Sequence, residues 1–367
     1  MQTPQVMTIE KRYAQGPSDE QYYSQQSQIQ DLALYENGYY YELLNAQDKI
    51  IYLTILNCMQ QINSKVTLDT IDVNTVDTIF KYVLNNHPEI FYVDGYKCST
   101  NNKTNNSVYE PNYIMSADEI QKYNKKIEEY INYFMKMAEA NGIDKYASEY
   151  KIVKHVFEYV VATCNYDVNV PYNQTILPII EKNKGVCQGY AKITQLLLNQ
   201  LGVDSLLVTG TTENGVLHVW NMVKIDGEYY HVDTTWGDDT FSYLADNFSC
   251  DDRPITNYDY LLTTTENIGH TIEYQDIIPD SNSNRYSYYV KEGLYIEDIN
   301  DIQLQEIFYQ IRHNNITQIK FKNREILDDF ADYFIWSEHL YENVGLNEDE
   351  LIALINFQKL KIIFTLK

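Results

Sequence analysis

The stretch that decides the fold is Gly-Val-Cys-Gln-Gly-Tyr-Ala, residues 185–191, which opens an apolar helix running to Leu201. Gly202 is a typical helix stop, and Val203 to Thr209 then has the composition of a buried strand. Cys187 is therefore predicted in the first turn of a helix. The free N–H groups and the positive end of the helix dipole at that place favour a thiolate over a thiol.

Two further segments supply the partners that a nucleophilic thiol needs. His218 lies in Leu-His-Val-Trp-Asn, residues 217–221, and Asp233 lies in His-Val-Asp-Thr-Thr-Trp, residues 231–236. An imidazole can take the thiol proton, and a carboxylate can fix the tautomer and orientation of the imidazole. Asp226-Gly227 is a strong hairpin signal, and the two residues lie eight and six positions from it. The sequence therefore predicts that His218 and Asp233 are close to cross-strand neighbours.

The three motifs together resemble the transglutaminase-like superfamily of cysteine enzymes, in its bacterial form. Gly-x-Cys-x-Gly-Tyr-Ala, His-x-Trp-Asn and Asp-x-Thr-Trp follow one another in that family's order, and the similarity extends from about Tyr150 to Asp280. The resemblance implies that Cys187 is the nucleophile, His218 the base and Asp233 the orienting acid. Such families include peptidases, amidases and acyl transferases, so the resemblance implies a mechanism without naming a substrate.

Other residues are candidates for the cleft around this triad. The resemblance, and a predicted position at a helix end, make Tyr166 a candidate oxyanion donor beside the backbone N–H of Cys187; ordinary packing is the alternative. Trp220 and Trp236 flank the two partner strands, and we interpret them as walls that exclude water. Gln188 follows the cysteine directly and is included as a cleft residue.

Each member of the triad also has a simpler interpretation. His218 alone is compatible with a core histidine, Asp233 alone with a turn cap, and His231 is a rival base because it flanks the same hairpin. By the period of two, His231 shares a strand face with Asp233 and is a candidate supporting residue. A metal site of Cys187, His218, His231 and Asp233 has acceptable ligand types but no recognisable spacing. We therefore expect no metal and no cofactor.

Composition excludes several classes of function. The chain has 367 residues and a net charge of −24, which disfavours nucleic acid and anionic lipid as partners. No apolar run approaches the roughly 20 residues of a membrane span. The five cysteines are odd in number and contain no Cys-x-x-Cys pair, so neither a disulfide framework nor a zinc knuckle is indicated. The acidic stretch from Asp238 to Asp252 lacks the ligand spacing of a calcium loop and is interpreted as a solvated loop.

The expected fold is α+β: a papain-like, transglutaminase-type core of helices on an antiparallel sheet, between a helical N-terminal region and a small C-terminal α/β unit. The predicted segments are a polar leader or linker at 1–30, a mainly helical domain at 31–147, the catalytic domain at 148–280 and the C-terminal domain at 281–367.

Local patterns predict several element boundaries. In the N-terminal region they include a helix from Asn45, a second helix capped by Asn74, a hairpin turn at Asp94-Gly95 and a capping box of Ser116 and Glu119. The predicted apolar face of the first helix consists of Ile50, Ile51, Ile55, Met59 and Ile62. In the C-terminal region they are strand 286–290, helix 302–313, strand 316–321, helix 326–334 and strand 360–366.

The predicted function is that of a cysteine-dependent peptidase or amidase that attacks an amide carbonyl and forms a thioester acyl-enzyme. The alternatives are a protein-glutamine transamidase that uses the same triad, and a non-catalytic binding scaffold that retains the site. The expected partners are a protein or peptide substrate, and a protein bound through the N- or C-terminal domain. By resemblance to bacterial relatives we expect an extracellular or cell-surface protein, and otherwise a cytoplasmic one.

Overall fold

The computed structural model describes residues 36–238, 255–273, 277–347 and 349–367. The polar leader predicted at 1–30 and the acidic loop from 239 to 252 lie outside these residues. The chain divides into two compact units, one of Met1–Tyr260 with Thr265–Ser281 and one of Leu261–Thr264 with Asn282–Lys367. Within the described residues, no helix combines the length and the apolar character that crossing a membrane requires.

The N-terminal part of the first unit combines helices with a small antiparallel sheet. Its helices are Tyr39–Glu42, Ala46–Gln60, Val73–Asn86 and Ala117–Ala140, and its strands are β1 (Val66–Leu68), β2 (Val93–Asn101) and β3 (Asn106–Tyr113), in the order β1-β3-β2. The predicted capping box is confirmed, because Ser116 and Glu119 exchange side-chain and backbone hydrogen bonds at the start of the longest of these helices. The sequence missed β1 and the length of β2.

Three local predictions in this region are wrong. Asp72, not Asn74, caps the second helix, because the Asp72 side chain accepts from the Asn74 backbone N–H. Asp94-Gly95 is not the hairpin turn; β2 runs through it with a bulge between Val93 and Gly95, and the turn lies at residues 102–105. Ile50, assigned to the apolar helix face, is 47% exposed.

The central sheet of the first unit carries the predicted partner residues. The helices of this part are Glu149–Thr163, Leu177–Lys182, Cys187–Gln200 and Thr234–Gly237, and its strands are β4 (Asn165–Tyr166), β5 (Lys184–Gly185), β6 (Ser205–Thr212), β7 (Leu217–Ile225), β8 (Glu228–Val232) and β10 (His270–Ile272). Strand β9 (Leu261–Thr263) lies in a segment of the second unit. Within the first unit the antiparallel order is β10-β6-β7-β8.

The predicted hairpin joins β7 and β8. Ile225 pairs with Glu228 on either side of Asp226-Gly227, and these two turn residues have φ of 49° and 83°. Two positive φ angles are what a tight two-residue hairpin turn requires, which is why Asp-Gly is favoured there. The predicted antiparallel arrangement of the two partner strands is confirmed.

The Cys187–Gln200 helix packs against this sheet. All but three of its residues are buried, and the Asn221 side chain on β7 donates to the carbonyl oxygen of Ala191 on the helix. A side chain at Gly189 would place its Cβ 2.9 Å from the Asn173 carbonyl oxygen and 3.0 Å from that of Thr175. The second glycine of the motif is therefore required because the preceding loop lies directly on the first turn of the helix.

The second unit contains a mixed four-stranded sheet. Its strands β11 (Tyr295–Ile296), β12 (Ile316–Phe321), β13 (Leu351–Asn356) and β14 (Lys361–Leu366) lie in the order β11-β12-β14-β13, and its helices are Tyr288–Lys291, Asp301–His313, Arg324–Phe330 and His339–Val344, with a π-helical turn at Ala331–Trp336. Strands 316–321 and 360–366 and the helix at 302–313 are confirmed within one residue. The strand predicted at 286–290 is wrong, because a short helix begins at Tyr288 and Gly293 follows it at φ 72°.

Candidate active site

Cys187 occupies the first position of its helix. Val186 is the N-cap residue, its side chain cannot accept a hydrogen bond, and its backbone is extended at φ −110° and ψ −179°. The backbone N–H groups of the first turn are thus left without an intrahelical acceptor. The Cys187 residue is 9% exposed. The structure thus places the thiol at the positive end of a helix dipole, as the sequence predicted.

His218 and Asp233 meet at the end of the β7–β8 hairpin. The Nε2 atom of His218 lies 2.7 Å from the Oδ2 atom of Asp233, with both side chains at most 5% exposed. His218 also lies close to Cys187, which adds to the effect of Asp233 in raising the pKa of the imidazole. The structure therefore brings together the thiol, the imidazole and the carboxylate in the order that nucleophilic catalysis uses.

The register explains how the hairpin achieves this contact. Asn221 pairs with Val232, so continuation of the register would place Asp233 opposite Trp220, two positions from His218. Residues offset by two on neighbouring strands lie on the same face and within reach of long side chains. Asp233 itself ends the strand and caps the Thr234–Gly237 helix. The turn cap and the imidazole partner, which were alternatives in the sequence, are both roles of this one side chain.

The Asp233 carboxylate is fully buried but completely hydrogen-bonded. Its Oδ1 atom accepts from the backbone N–H groups of Thr235 at 3.0 Å and Trp236 at 3.1 Å. Its Oδ2 atom accepts from His218 and, at 2.9 Å, from the Nε2 atom of His270. Burial raises the pKa of Asp233, but the charge and hydrogen bonds of the two histidines outweigh it and hold this pKa well below its usual range.

Sequence reasoning missed His270. This residue begins β10, where it pairs with Thr212 on β6, and its side chain is 1% exposed. The only sequence signal was a histidine after a glycine, Gly269, ahead of a short strand-like run. Gly269 adopts φ 72°, a conformation that favours glycine. The local pattern carries no chemistry by itself, since β10 reaches the site only through its pairing with β6.

His231, the rival base, lies in a different environment. Its Nδ1 atom accepts from the indole N–H of Trp220 at 2.9 Å, and its Nε2 atom lies 3.0 Å from the Thr265 hydroxyl oxygen. The residue is 0% exposed. Burial lowers the pKa of His231 to about 3, assisted by His270 and opposed by Asp233. Both of its nitrogens have partners, and none of these is Cys187.

The pKa of His218 is shifted in the opposite direction to that of His231. Burial lowers the pKa of His218, but the charge and hydrogen bond of Asp233, together with the nearby Cys187, raise it to about 10. An imidazole with such a pKa is protonated at neutral pH, so the group beside Cys187 is an imidazolium. A positive charge beside the sulfur is typical of the surroundings of nucleophilic cysteines.

The remaining predicted residues line the thiol and the carboxylate. Tyr166 is 53% exposed. Burial and the charge of Cys187 raise the pKa of Tyr166, and the nearby backbone N–H of Cys187 acts in the opposite direction. Gln188 is half-buried beside the cysteine. Trp236 packs its ring 5.1 Å from His270 and 6.2 Å from His218, whereas Trp220 is 1% exposed and stacks on His218 at 5.8 Å.

Three other cysteines are buried and lack this environment. Burial raises the pKa of both Cys58 and Cys164 to about 12 and also raises that of Cys98. Cys250 lies outside the described residues. Among the described cysteines, Cys187 is thus distinguished by its helix start and its imidazole partner.

The donor atoms of His218, Asp233 and His270 lie within 4.8 Å of one another, so we tested them as a metal centre. Both imidazole nitrogens lie 2.7–2.9 Å from a single carboxylate oxygen. Metal–ligand bonds of about 2.0–2.2 Å in tetrahedral arrangement separate the donors by more than 3 Å. The spacing and the burial of all three side chains fit hydrogen bonds, not coordination of a zinc ion.

Residues 136–234 match the family model of the transglutaminase-like superfamily. This segment contains Cys187, His218 and Asp233 and ends next to the last of them. This segment of the chain is therefore similar to the transglutaminase-like superfamily, the resemblance that its three motifs predicted. His270 lies beyond the matched segment.

No curated protein matches the chain. Among solved structures, it is similar to a TGase at 16% identity and a TM-score of 0.27, covering 52% of this chain and 54% of that one. It is also similar to a "putative cysteine protease" from Cytophaga hutchinsonii, at 13% identity and a TM-score of 0.22, over 38% and 61% of the two chains. A third, a "putative protease" from Parabacteroides distasonis, is 12% identical with a TM-score of 0.22, over 36% and 29%. The chain thus spans less than two thirds of each of these relatives.

Proposed function

We propose that this protein is a cysteine-dependent hydrolase that cleaves an amide bond in a protein or peptide through a thioester acyl-enzyme. The observation that carries the proposal is the position of the His218 imidazole, which is hydrogen-bonded to Asp233 at 2.7 Å and lies close enough to Cys187 for the two groups to interact. No histidine is among the groups that shift the pKa of Cys58, Cys98 or Cys164.

The reaction follows from the roles of these three side chains. The Cys187 thiolate attacks the amide carbonyl carbon, and the carbonyl oxygen becomes an oxyanion. The His218 imidazolium then gives its proton to the leaving amine, the C–N bond breaks and a thioester remains. Water attacks the thioester, His218 takes a proton from that water, and the carboxylic acid leaves as the Cys187 thiolate and the His218 imidazolium are restored.

Two donors are proposed for the oxyanion. The first is the backbone N–H of Cys187, at the start of its helix, where a developing negative charge is favoured. The second is the Tyr166 hydroxyl, which lies close enough to that same N–H for the N–H to lower its pKa. The two groups are proposed to donate to one substrate oxygen. Asp233 is proposed to keep the His218 ring oriented throughout.

Hydrolysis is proposed in preference to transfer to an amine. Hydrolysis needs one bound substrate, whereas transfer needs a second subsite from which an amine competes with water through proximity and exclusion. The net charge of −24 favours the alternative, transfer to an amine, since acidic groups near a cleft concentrate cationic amines. Action outside the cell or at its surface is part of the same proposal.

The experiment traps the acyl-enzyme and identifies the nucleophile, water or an amine, that attacks its thioester. The protein is incubated with a peptide library and a labelled primary amine, and intact-mass and peptide mass spectrometry follow adducts on Cys187 and the released products. The proposal expects a transient adduct on Cys187 and mainly cleaved or deamidated peptides. Amine conjugates that dominate in the wild type and vanish in Cys187→Ala would identify a transamidase. No adduct and no product under any condition would indicate the binding scaffold.

A further inference from the structure

The carboxylate of Asp233 serves two imidazoles through a single oxygen. Its Oδ2 atom accepts from the Nε2 atom of His218 at 2.7 Å and from the Nε2 atom of His270 at 2.9 Å. We propose that His270 is a positioning residue for the reaction, one that fixes the Asp233 carboxylate in the orientation in which it holds His218. This inference rests on the proposed function for its kinetic consequences.

The first argument is the completeness of the hydrogen bonding around Asp233. The residue is 0% exposed, and a buried carboxylate is expensive unless each oxygen is provided with donors. Two backbone N–H groups of the Thr234–Gly237 helix hold Oδ1. Without His270, the only donor left to Oδ2 would be the ring that Asp233 has to orient. The carboxylate would then turn together with His218. The hydrogen bond from His270 instead holds Oδ2 in place from another strand, β10.

The second argument is that the structure holds the His270 ring firmly. Its centroid lies 5.0 Å from Trp220 and 5.1 Å from Trp236 in edge-to-face contacts, and 6.0 Å from the stacked ring of Tyr260. The His218 ring itself lies 4.9 Å away, also edge to face. Rings packed in this way have little freedom to turn, so the direction of the His270 N–H is fixed by packing.

The third argument comes from the backbone around β10. At Gly210, the residue that pairs with His218 on one side and Ile272 on the other, an added Cβ would lie 2.0 Å from the Thr271 carbonyl oxygen and 2.9 Å from Trp220. Only glycine allows β10 to approach so closely. The glycine therefore lets β10, the strand of His270, lie close against β6, the one strand that separates it from β7 and His218.

The tautomer of His270 follows from its contacts. An ionised carboxylate only accepts, so the Nε2 atom of His270 carries the hydrogen. Its Nδ1 atom is buried and has no hydrogen-bond partner among the described residues. The ring is thus used through one nitrogen, and that nitrogen is directed at Asp233. In His231, by contrast, both nitrogens have partners.

The test compares His270→Phe with His270→Gln. Phenylalanine keeps a ring among the aromatic side chains but lacks the donor, whereas glutamine can place an amide N–H near the position of Nε2. His155→Phe is the matched control, a histidine on the Glu149–Thr163 helix that packs on Phe134. We expect His270→Phe to lower kcat by about 10- to 100-fold with little change in KM, the range known for partners that orient a reactive group through a hydrogen bond. His270→Gln should recover most of this loss.

A spectroscopic measurement on the same proteins does not depend on turnover. In histidine-labelled protein, we expect exchange-protected Nε2–H signals from both His218 and His270, and both should change in Asp233→Asn. In His270→Phe the His218 signal should move downfield, because Oδ2 then accepts from one donor instead of two, and it should return in His270→Gln. Because the wild-type signals and the Asp233→Asn variant report the shared oxygen directly, the proposal stays testable if His270→Phe does not fold.

A His270 N–H that exchanges freely with solvent in the wild type would overturn the inference. So would a His218 signal and a kcat that are the same in wild type and folded His270→Phe. If the wild type shows no turnover that depends on Cys187, the proposed function fails, yet the two protected signals and their response to Asp233→Asn still decide whether His270 holds the carboxylate.

Discussion

Two buried histidines on neighbouring strands of the central sheet, His218 on β7 and His231 on β8, differ in their contacts and in their pKa. His218 lies beside a carboxylate and a thiol, and these raise its pKa to about 10. His231 contacts an indole N–H and a hydroxyl, and burial lowers its pKa to about 3. The same residue type on adjacent strands is thus a cation at one place and a neutral ring at the other. What decides between them is the charge within hydrogen-bonding distance, not burial, which both share.

The sharpest way to break this comparison is to truncate each histidine in turn. His218→Ala should abolish turnover and slow alkylation of Cys187 near neutral pH, because the thiol loses its proton acceptor. His231→Ala should mainly destabilise the fold, by about 1–3 kcal/mol, because the buried indole N–H of Trp220 loses its acceptor. Turnover kinetics and urea unfolding of both variants are the measurements. A folded His231→Ala that is inactive beside a fully active His218→Ala would exchange the two roles.

Asp233→Asn removes the negative charge that distinguishes the surroundings of His218 from those of His231. The amide can still accept from the backbone N–H groups at Oδ1, so we expect a folded protein. Its NH₂ group would meet the N–H groups of two imidazoles, which forces His218 into the wrong tautomer. The rate should fall about ten-thousand-fold, as for the equivalent change in serine proteases.

Asp238→Asn is the matched control for this change, since Asp238 accepts from the Tyr190 hydroxyl at 2.9 Å. Single-turnover rates of both variants, with circular dichroism to confirm folding, test the prediction. A nearly wild-type rate in Asp233→Asn together with a large loss in Asp238→Asn would move the orienting role to Asp238.

The smallest expected effect is on the pH dependence of stability, and the two histidines act on opposite sides of neutrality. An unfolded histidine titrates at about pH 6.5. His218 has a raised pKa, so its contribution is complete below that pH and is lost as pH rises through about 10. His231 has a lowered pKa, so its contribution is present above about pH 6.5 and is lost as pH falls towards about 3.

Chemical denaturation between pH 4 and pH 10, roughly the range set by these two pKa values, tests this assignment. His218→Gln should flatten the alkaline side of the stability profile and His231→Gln the acid side. If each substitution altered the other side, or if both altered the same side, the charge states of the two rings would be wrongly assigned.

The sequence predicted the parts of this site that depend on local order. Cys187 follows from a helix start between glycines, and the contact of His218 with Asp233 follows from two distances along the chain to an Asp-Gly turn. Both are determined within about 50 residues, where periodicity and turn chemistry are informative. The position of His231 was also predicted in part, because the strand period places this residue on the same face as Asp233.

The rest required the tertiary structure. His270 reaches Asp233 because β10 pairs with β6, a contact between segments about 60 residues apart that no local pattern specifies. Asp94-Gly95 has the composition of a hairpin turn but lies in a bulge, since the pairing of β2 with β3 extends beyond it. Tyr286–Val290 is rich in residues that favour strands, yet Ser287 begins a helical turn there. The first two differences arise from pairing between strands distant in sequence, whereas the third is a local helical turn.

The most direct test of the account is the order in which the cysteines react. In the native protein at mildly acidic pH, iodoacetamide labelling followed by peptide mass spectrometry should modify Cys187 well before Cys58, Cys98, Cys164 and Cys250, because the His218 imidazolium and the helix start favour its thiolate. The same preference should disappear in His218→Ala. Equal labelling of all five cysteines, or labelling that leaves Cys187 untouched, would contradict the assignment of Cys187 as the nucleophile.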